Sequence, residues 1–275
     1  MIQTPAVVAE TEGFLVVHKP PCLHSAPLED GDGPSFRGDT LLDWCAARYP
    51  EVRVPQGRQR REGGLLHRLD YGTWGLVLIA RTQVALDGLL AQQEQGILVK
   101  EYGALSGIAP RPPLPGFPPR DSSGLPDLPF TIESGFRPYG PGRRAVRPVL
   151  INELAKKPRR ECALDRGIPY RTDVLEMKAT DENRCFRVKI VRGFRHQIRC
   201  HLSWLGYPVL GDNLYGGLPE PGVPQAGTNA VDTPGENVPL ALKAQGLFFR
   251  DPLSGEDRQY RLPPIREFNP WTFYR

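Results

Sequence analysis

Apolar residues in this chain come in short blocks separated by polar, proline-rich or glycine-rich stretches. Phe14-Leu15-Val16-Val17-His18 is closed by Lys19-Pro20-Pro21. This predicts a strand followed by a rigid turn, because proline cannot continue a ladder. Leu76-Val77-Leu78-Ile79-Ala80 predicts a buried strand, and the run from Ile97 to Leu105 another. Leu41, Trp44, Cys45 and Arg48 recur at helical spacing behind Asp39-Thr40, which predicts a short amphipathic helix capped by Asp or Thr and stopped by Pro50. Thr82 is placed to cap a second helix through Val84, Leu86, Leu89 and Leu90, ending at Gln95-Gly96. Residues 51–64 are polar and arginine-rich, and are expected to form a solvated loop.

Further along, the polarity alternates. Residues 170–177 and 184–191 alternate apolar with polar across the turn from Thr180 to Asn183, an antiparallel hairpin signal. Gly140-Pro141-Gly142 with Arg143-Arg144 marks another hairpin tip. Within 193–206, Phe194, Ile198, His201, Leu202 and Leu205 make one helical stripe. Arg195 and Arg199 fall one turn apart on another face, and Gly206 is the stop. Residues 240–249 predict final strands, or a short helix and a strand. Residues 106–129, with eight prolines, and residues 216–239 are loops. The chain reads as α+β: a mixed, mostly antiparallel sheet flanked by helices and loops. One catalytic domain over 1–275 with a central cleft is expected.

Composition narrows this only slightly. The 275 residues carry 35 basic and 31 acidic side chains, a net charge of +4, which is weak evidence about partners. The arginines cluster, however, at 53–68, 137–147, 159–160 and 184–199, and arginine suits bidentate phosphate contacts and stacking on bases. Five cysteines without CxxC spacing argue against a disulfide framework or a zinc ribbon. No basic-then-apolar leader opens the chain, and no uncharged apolar run reaches the ~18–20 residues of a membrane span. A soluble, cytoplasmic protein is expected.

The most unusual stretch is Leu66-His67-Arg68-Leu69-Asp70-Tyr71-Gly72-Thr73-Trp74-Gly75. It sets a charged cluster directly before a buried strand, which is costly unless the charges are paired or used. Asp70 taken alone is a turn cap paired to Arg68, or a catalytic carboxylate. Arg195, His196 and Arg199 are a solvated helix face, or a site for an anion. Tyr102 is a core tyrosine with its hydroxyl at the edge, or part of a site. His18 and His24 lack the spacing and acidic partners of a metal site. There is no phosphate-binding loop, dinucleotide-binding glycine pattern or nucleophile elbow.

Five blocks nevertheless stand in one order: Val17-His18-Lys19-Pro20; His67-Arg68-Leu69-Asp70 with Thr73 and Gly75; Lys100-Glu101-Tyr102; Arg195-His196-Gln197-Ile198-Arg199-Cys200-His201-Leu202; and Gly211-Asp212-Asn213-Leu214-Tyr215-Gly216. Together they resemble the RluA family of RNA pseudouridine synthases over roughly residues 14 to 256. The resemblance implies an isomerase that detaches uracil from ribose through N1 and rejoins it through C5, without metal or organic cofactor. It implies that Asp70 is the catalytic aspartate, that Tyr102 stacks on the target base, and that Arg199 ion-pairs the aspartate, the three meeting in the cleft. Arg68 is implied to act in moving the nucleotide out of its stack. His67, Lys19, Lys100, Arg195, His196 and Gln197 are implied to be RNA-binding, the substrate being structured ribosomal or transfer RNA and the enzyme a monomer. One carboxylate held ionised by an arginine suits this reaction, whereas a glycosidic hydrolase usually needs two.

The chain departs from that pattern in places. Tyr71-Gly72 replaces two polar residues, Trp74 stands where serine is usual, Arg195 where threonine is usual, and Lys243-Ala244 replaces a His-Ala. Trp74 and Phe194 are therefore expected at the cleft rim, shaping substrate choice. With the first strand near Phe14, the N-terminal S4 domain that many members carry is not expected. Two rivals stand beside this assignment. A non-catalytic RNA-binding protein is opposed by the intact Asp70, Tyr102 and Arg199. A nucleoside hydrolase or metal-assisted phosphodiesterase is opposed by the lack of a second positioned carboxylate or ligand cluster.

Overall fold

A computed structural model describes residues 4–27, 40–57, 59–107, 110–119, 125–154, 162–164, 167–181, 183–217 and 239–266. Most of the loop at 216–239, parts of that at 106–129, Arg159-Arg160 and the aromatic tail at Trp271 and Phe273 lie outside these residues. In chain order the strands and helices are β1 (Ala6–Glu10), β2 (Phe14–Lys19), α1 (Leu41–Ala46), β3 (Trp74–Ala80), α2 (Gln83–Gln95), β4 (Val99–Gly107), β5 (Phe130–Tyr139), β6 (Ala145–Val149), α3 (Ile151–Leu154), β7 (Tyr170–Ala179), β8 (Asn183–Ile190), α4 (Gln197–Trp204), β9 (Leu242–Arg250) and β10 (Asp257–Arg261). They divide into two compact units, one built on Met1–Lys100 with Lys243–Pro263, the other on Glu101–Leu242. The class is α+β, as the polarity pattern implies. Among the described residues no helix is long and apolar enough to cross a membrane.

In the first unit the strand order is β1-β2-β3-β9, with β10 on β9. All pairs are antiparallel except β3 with β9, which run parallel. Phe14, Val16, Leu76, Leu78, Leu247 and Phe249 from the sheet pack with Leu86 and Leu89 of α2. Each such side chain contributes about 1.5–3 kcal/mol on leaving water. Thr40 and Asp43 form a capping box on α1, and Thr82 caps α2, so both predicted starts are realised. The loop 51–64 is less solvated than its composition predicts. Val52 is fully buried, and Gly64 lies so close to β3 that a Cβ would sit 1.9 Å from the Ala80 carbonyl oxygen. Leu66 joins the core cluster, so the chain enters the Asp70 stretch from a fixed point.

In the second unit the order is β4-β8-β7-β5-β6. The β7–β8 hairpin appears where the alternation predicts it, with a register shift between Val174 and Glu176. The β5–β6 hairpin turns at Pro141–Arg143. The helix differs from expectation. His196 adopts a left-handed backbone (φ 57°) and α4 begins only at Gln197, so Arg195 precedes the helix and shares no face with Arg199. Phe194, half-buried, is tied into an aromatic cluster. It stacks on Phe136 at 5.0 Å and 8° and packs against Tyr170, in a cluster with Tyr215 and Cys200.

His201 sits at the centre of this unit, fully buried. Its Nε2 meets Ser134 Oγ at 2.9 Å and its Nδ1 meets Thr172 Oγ1 at 2.8 Å. Burial pushes its pKa down to about 3, so the ring is neutral. The unfolded chain takes up this proton near 6.5 and the folded chain does not. The stabilisation is therefore complete above about pH 6.5 and is lost as pH falls toward 3, at about 1.4 kcal/mol per pH unit. Urea unfolding at pH 7, 6 and 5 is expected to show this decline. His201→Gln is expected to be destabilised at pH 7 yet to have a shallower pH slope, and an unchanged slope would remove His201 as the source.

Candidate active site

Asp70 ends an irregular segment that leads into a tight turn, closed by a hydrogen bond from Thr73 N to the Asp70 carbonyl (3.0 Å). Trp74 then opens β3. The backbone on either side of Asp70 is held by a second loop, Pro20 to Ala26. Ser25 Oγ accepts from Leu69 N and donates to Leu69 O, both at 3.0 Å. Cys22 N donates to the Tyr71 carbonyl (2.8 Å), and the His24 ring tilts against the Tyr71 ring at 4.6 Å. The residue before the aspartate and the residue after it are both tied to one loop.

Lys19 underlies this arrangement. It is fully buried, and its ammonium donates to the carbonyls of Pro20 (3.0 Å), Leu23 (2.7 Å) and Tyr71 (3.3 Å). Three donors meet three acceptors, so none remains for an RNA phosphate, in contrast to the role expected from the motif. Burial lowers its pKa to about 7, against the opposing pull of the Asp70 and Cys22 charges. The cost of the buried cation is thus full below pH 7 and is relieved as pH rises toward the ordinary value of 10.5.

His67 and Arg68 diverge. Both ring nitrogens of His67 are buried and have no hydrogen-bond partner among the described residues. Burial, then the Lys100 charge, lowers its pKa to about 3, so it cannot serve as a cationic phosphate anchor. Lys100 is itself buried. Arg68 is exposed and reaches Glu62 at 3.2 Å rather than forming the cap of Asp70 weighed above.

The two departures Trp74 and Lys243 turn out to be neighbours. They are register partners of the parallel β3–β9 pair, and Lys243 Nζ lies 4.7 Å from the indole centroid. The ammonium also donates to the Pro263 carbonyl at 2.8 Å. A cation over an indole face is worth about 0.5–2 kcal/mol, which offsets part of the cost of burying Lys243, whose pKa burial lowers. The edge of the His18 ring faces Trp74 at 6.3 Å. Gly75 has φ 114°, and a Cβ there would lie 2.2 Å from the Ala244 carbonyl oxygen, so only glycine lets β3 approach β9 this closely.

In the second unit Arg199 is buried and gripped by Asp212, with Nε to Oδ2 at 2.6 Å and Nη2 to Oδ1 at 2.9 Å. Breaking such a buried bidentate pair costs about 3–5 kcal/mol. Asp212 also accepts from Tyr215 N (3.3 Å). The Tyr215 hydroxyl meets Val146 N (2.9 Å) and His196 Nδ1 (3.1 Å). The Gly-Asp and Leu-Tyr-Gly block is therefore a brace for Arg199 and His196, a role its residue types alone do not reveal. Gln197 is buried and committed at both ends, accepting from Phe194 N (2.9 Å) and donating to Arg171 O (2.8 Å) and Thr172 Oγ1 (3.1 Å). Tyr102 is buried in β4, and Arg195 is exposed. Ser25, Cys22 and His24, which hold the backbone on both sides of Asp70, were given no such role by the sequence, and Asp212 was read there only as part of a motif.

Among known proteins, residues 13–204 match the RNA pseudouridylate synthase family. An uncharacterized RNA pseudouridine synthase of Chloroflexus aurantiacus is 33% identical over 183 residues, 66% of this chain and 47% of that protein. The ribosomal large subunit pseudouridine synthase D of Pseudomonas aeruginosa is 29% identical over 267 residues, covering 95% of this chain and 69% of its own length. That of Pasteurella multocida is 26% identical over 264 residues, covering 95% and 68%. The chain thus spans about half of the first relative and about two thirds of the others. The solved structure of human RNA pseudouridylate synthase domain containing 1 shares the fold, with a TM-score of 0.56 at 23% identity over 94% of this chain and 83% of that one. The family match, which covers most of the chain, shows that this protein belongs to the RNA pseudouridylate synthase family.

Proposed function

We propose that this chain isomerises uridine to pseudouridine in structured RNA, with ribosomal RNA favoured over transfer RNA by its likeness to the ribosomal large subunit synthases. Asp70 is the catalytic carboxylate, Tyr102 offers a ring face to the flipped uracil, and Arg199 supplies the cation that favours the ionised aspartate. The observation that carries this is the holding of Asp70. A solvated turn cap needs no buried lysine, serine and cysteine fixing the carbonyl and amide groups on both its sides. Catalysis at a ribose carbon does need a carboxylate held in one geometry. The target base lies in a stem or stacked loop and must be extruded, at a cost of a few kcal/mol that contacts elsewhere on the RNA offset. Arg68, exposed beside the turn, is the residue suited to fill the vacated space. The enzyme acts as a monomeric, cytoplasmic catalytic domain without cofactor.

Asp70→Asn is expected to abolish pseudouridine formation, by three orders of magnitude or more in keeping with loss of a nucleophile or base (on the order of 10³-fold or greater), while RNA affinity stays near wild type. The check is single-turnover tritium release from labelled RNA beside filter binding; a fully active Asn variant sinks the mechanism. Lys19→Met separates a brace from a phosphate contact. Loosening the Asp70 turn should lower the single-turnover rate on the order of 10²-fold, as misplacement by about 1 Å does. The salt dependence of RNA binding should not change. A drop of about one in the slope of log K against log salt would instead mean that Lys19 touches a phosphate.

A further inference from the structure

The arginines of the second unit differ in their partners. Several along the sheet and helix are paired with carboxylates: Arg171 with Glu133 at 3.0 Å, Arg187 with Glu101 and Glu176 at 3.0 and 2.5 Å, and Arg199 with Asp212. Arg147 is buried, its guanidinium 4.2 Å from the Tyr139 ring centroid and 4.7 Å from that of Phe117, donating to the carbonyls of Pro115 and Val146. Arg143, Arg144 and Arg195 behave differently. All three are exposed, and among the described residues none has a carboxylate at ion-pair distance.

They are nevertheless held together. Arg195 Nη2 donates to the Arg143 carbonyl at 2.6 Å, joining the segment before α4 to the tip of the β5–β6 hairpin. The left-handed backbone of His196 keeps Arg195 off the helix, and the His196 ring is anchored on Tyr215, so this placement rests on the buried core. At the tip Arg143 is itself left-handed (φ 55°), a conformation that costs a non-glycine residue energy and recurs at binding sites. Arg137 lies below, over Tyr139 at 5.4 Å, its guanidinium donating to the Gly116 carbonyl. The fold has thus gathered three like charges at and beside a strained tip, and among the described residues no carboxylate pairs with them. Such an arrangement is unfavourable in the free protein and becomes favourable against a polyanion.

We propose that the β5–β6 hairpin tip, with Arg143 and Arg144, together with Arg195, is a docking surface for the phosphate backbone of the substrate RNA. This rests on the RNA-modifying role given above. Planar guanidinium groups bind phosphate oxygens in pairs, and the contacts are blind to base sequence, so the surface sets affinity and register rather than the choice of uridine.

The test is the salt dependence of RNA binding by the full chain, with structured ribosomal RNA fragments as probe. Arg143→Gln with Arg144→Gln should bind more weakly and lower the slope of log K against log salt by about 1.4–1.8, about 0.7–0.9 for each of two phosphates. Arg143→Lys with Arg144→Lys keeps the charge and should keep the slope close to wild type. Both pairs are exposed, so thermal unfolding should match wild type. A Gln pair with the wild-type slope overturns the docking surface. Absence of pseudouridine formation by the wild-type chain, whatever the slopes, overturns instead the role on which it rests.

Discussion

A buried lysine organises the part of the first unit that carries Asp70. Lys19 closes β2 at a point where no water reaches it, and it remains there because three backbone carbonyls converge on it. Two of those carbonyls belong to the loop after β2, and the third belongs to Tyr71, directly after Asp70. One side chain therefore sets the loop that carries Ser25 and Cys22, and through that loop the backbone around the aspartate. The backbone on both sides of Asp70 is thereby held in one geometry, and for the role proposed for Asp70 orientation is a large part of what an enzyme supplies.

The second unit follows the same rule with different chemistry. Arg199 is a cation on a buried helix face, and Asp212 holds it through two short, parallel hydrogen bonds. Around it lie neutral buried groups: His201 between two hydroxyls, Gln197 bonded at both ends, and Tyr215 joined to strand and helix. Polar groups buried without partners are costly, and here nearly every one is satisfied. His67, Thr73 and Ser106 are exceptions: the two ring nitrogens of His67 and the hydroxyls of Thr73 and Ser106 are buried and meet no protein group among the described residues.

Departures from the family pattern also make sense in pairs. Tryptophan at 74 and lysine at 243 look unrelated along the chain, and the parallel register of β3 and β9 sets them side by side. Tyr71 is similar, since its ring packs against His24 and its carbonyl receives both Cys22 and Lys19. Substitutions that depart from a motif can be accommodated by neighbours that only the fold makes adjacent.

Much of the fold was legible from periodicity alone. The β2 and β3 runs, the capped helices α1 and α2 and the β7–β8 hairpin have strong local signals: solid apolar blocks, Thr caps and clean alternation. β10 was not legible, because Tyr260 is its only large apolar residue and its strand character comes from pairing with β9. α4 starts later than the apolar stripe implies for a related reason: the ring of the left-handed His196 is held by Tyr215, 19 residues away. The ordered motifs identified the family and nominated Asp70, Tyr102 and Arg199. Sequence could not tell which of the other polar motif residues face solvent and which are braces. Lys19 and Gln197 have the composition of RNA contacts and the hydrogen bonding of core residues. That distinction depends on which carbonyls and hydroxyls lie within about 3 Å of each donor, a property that exists only once distant segments have packed.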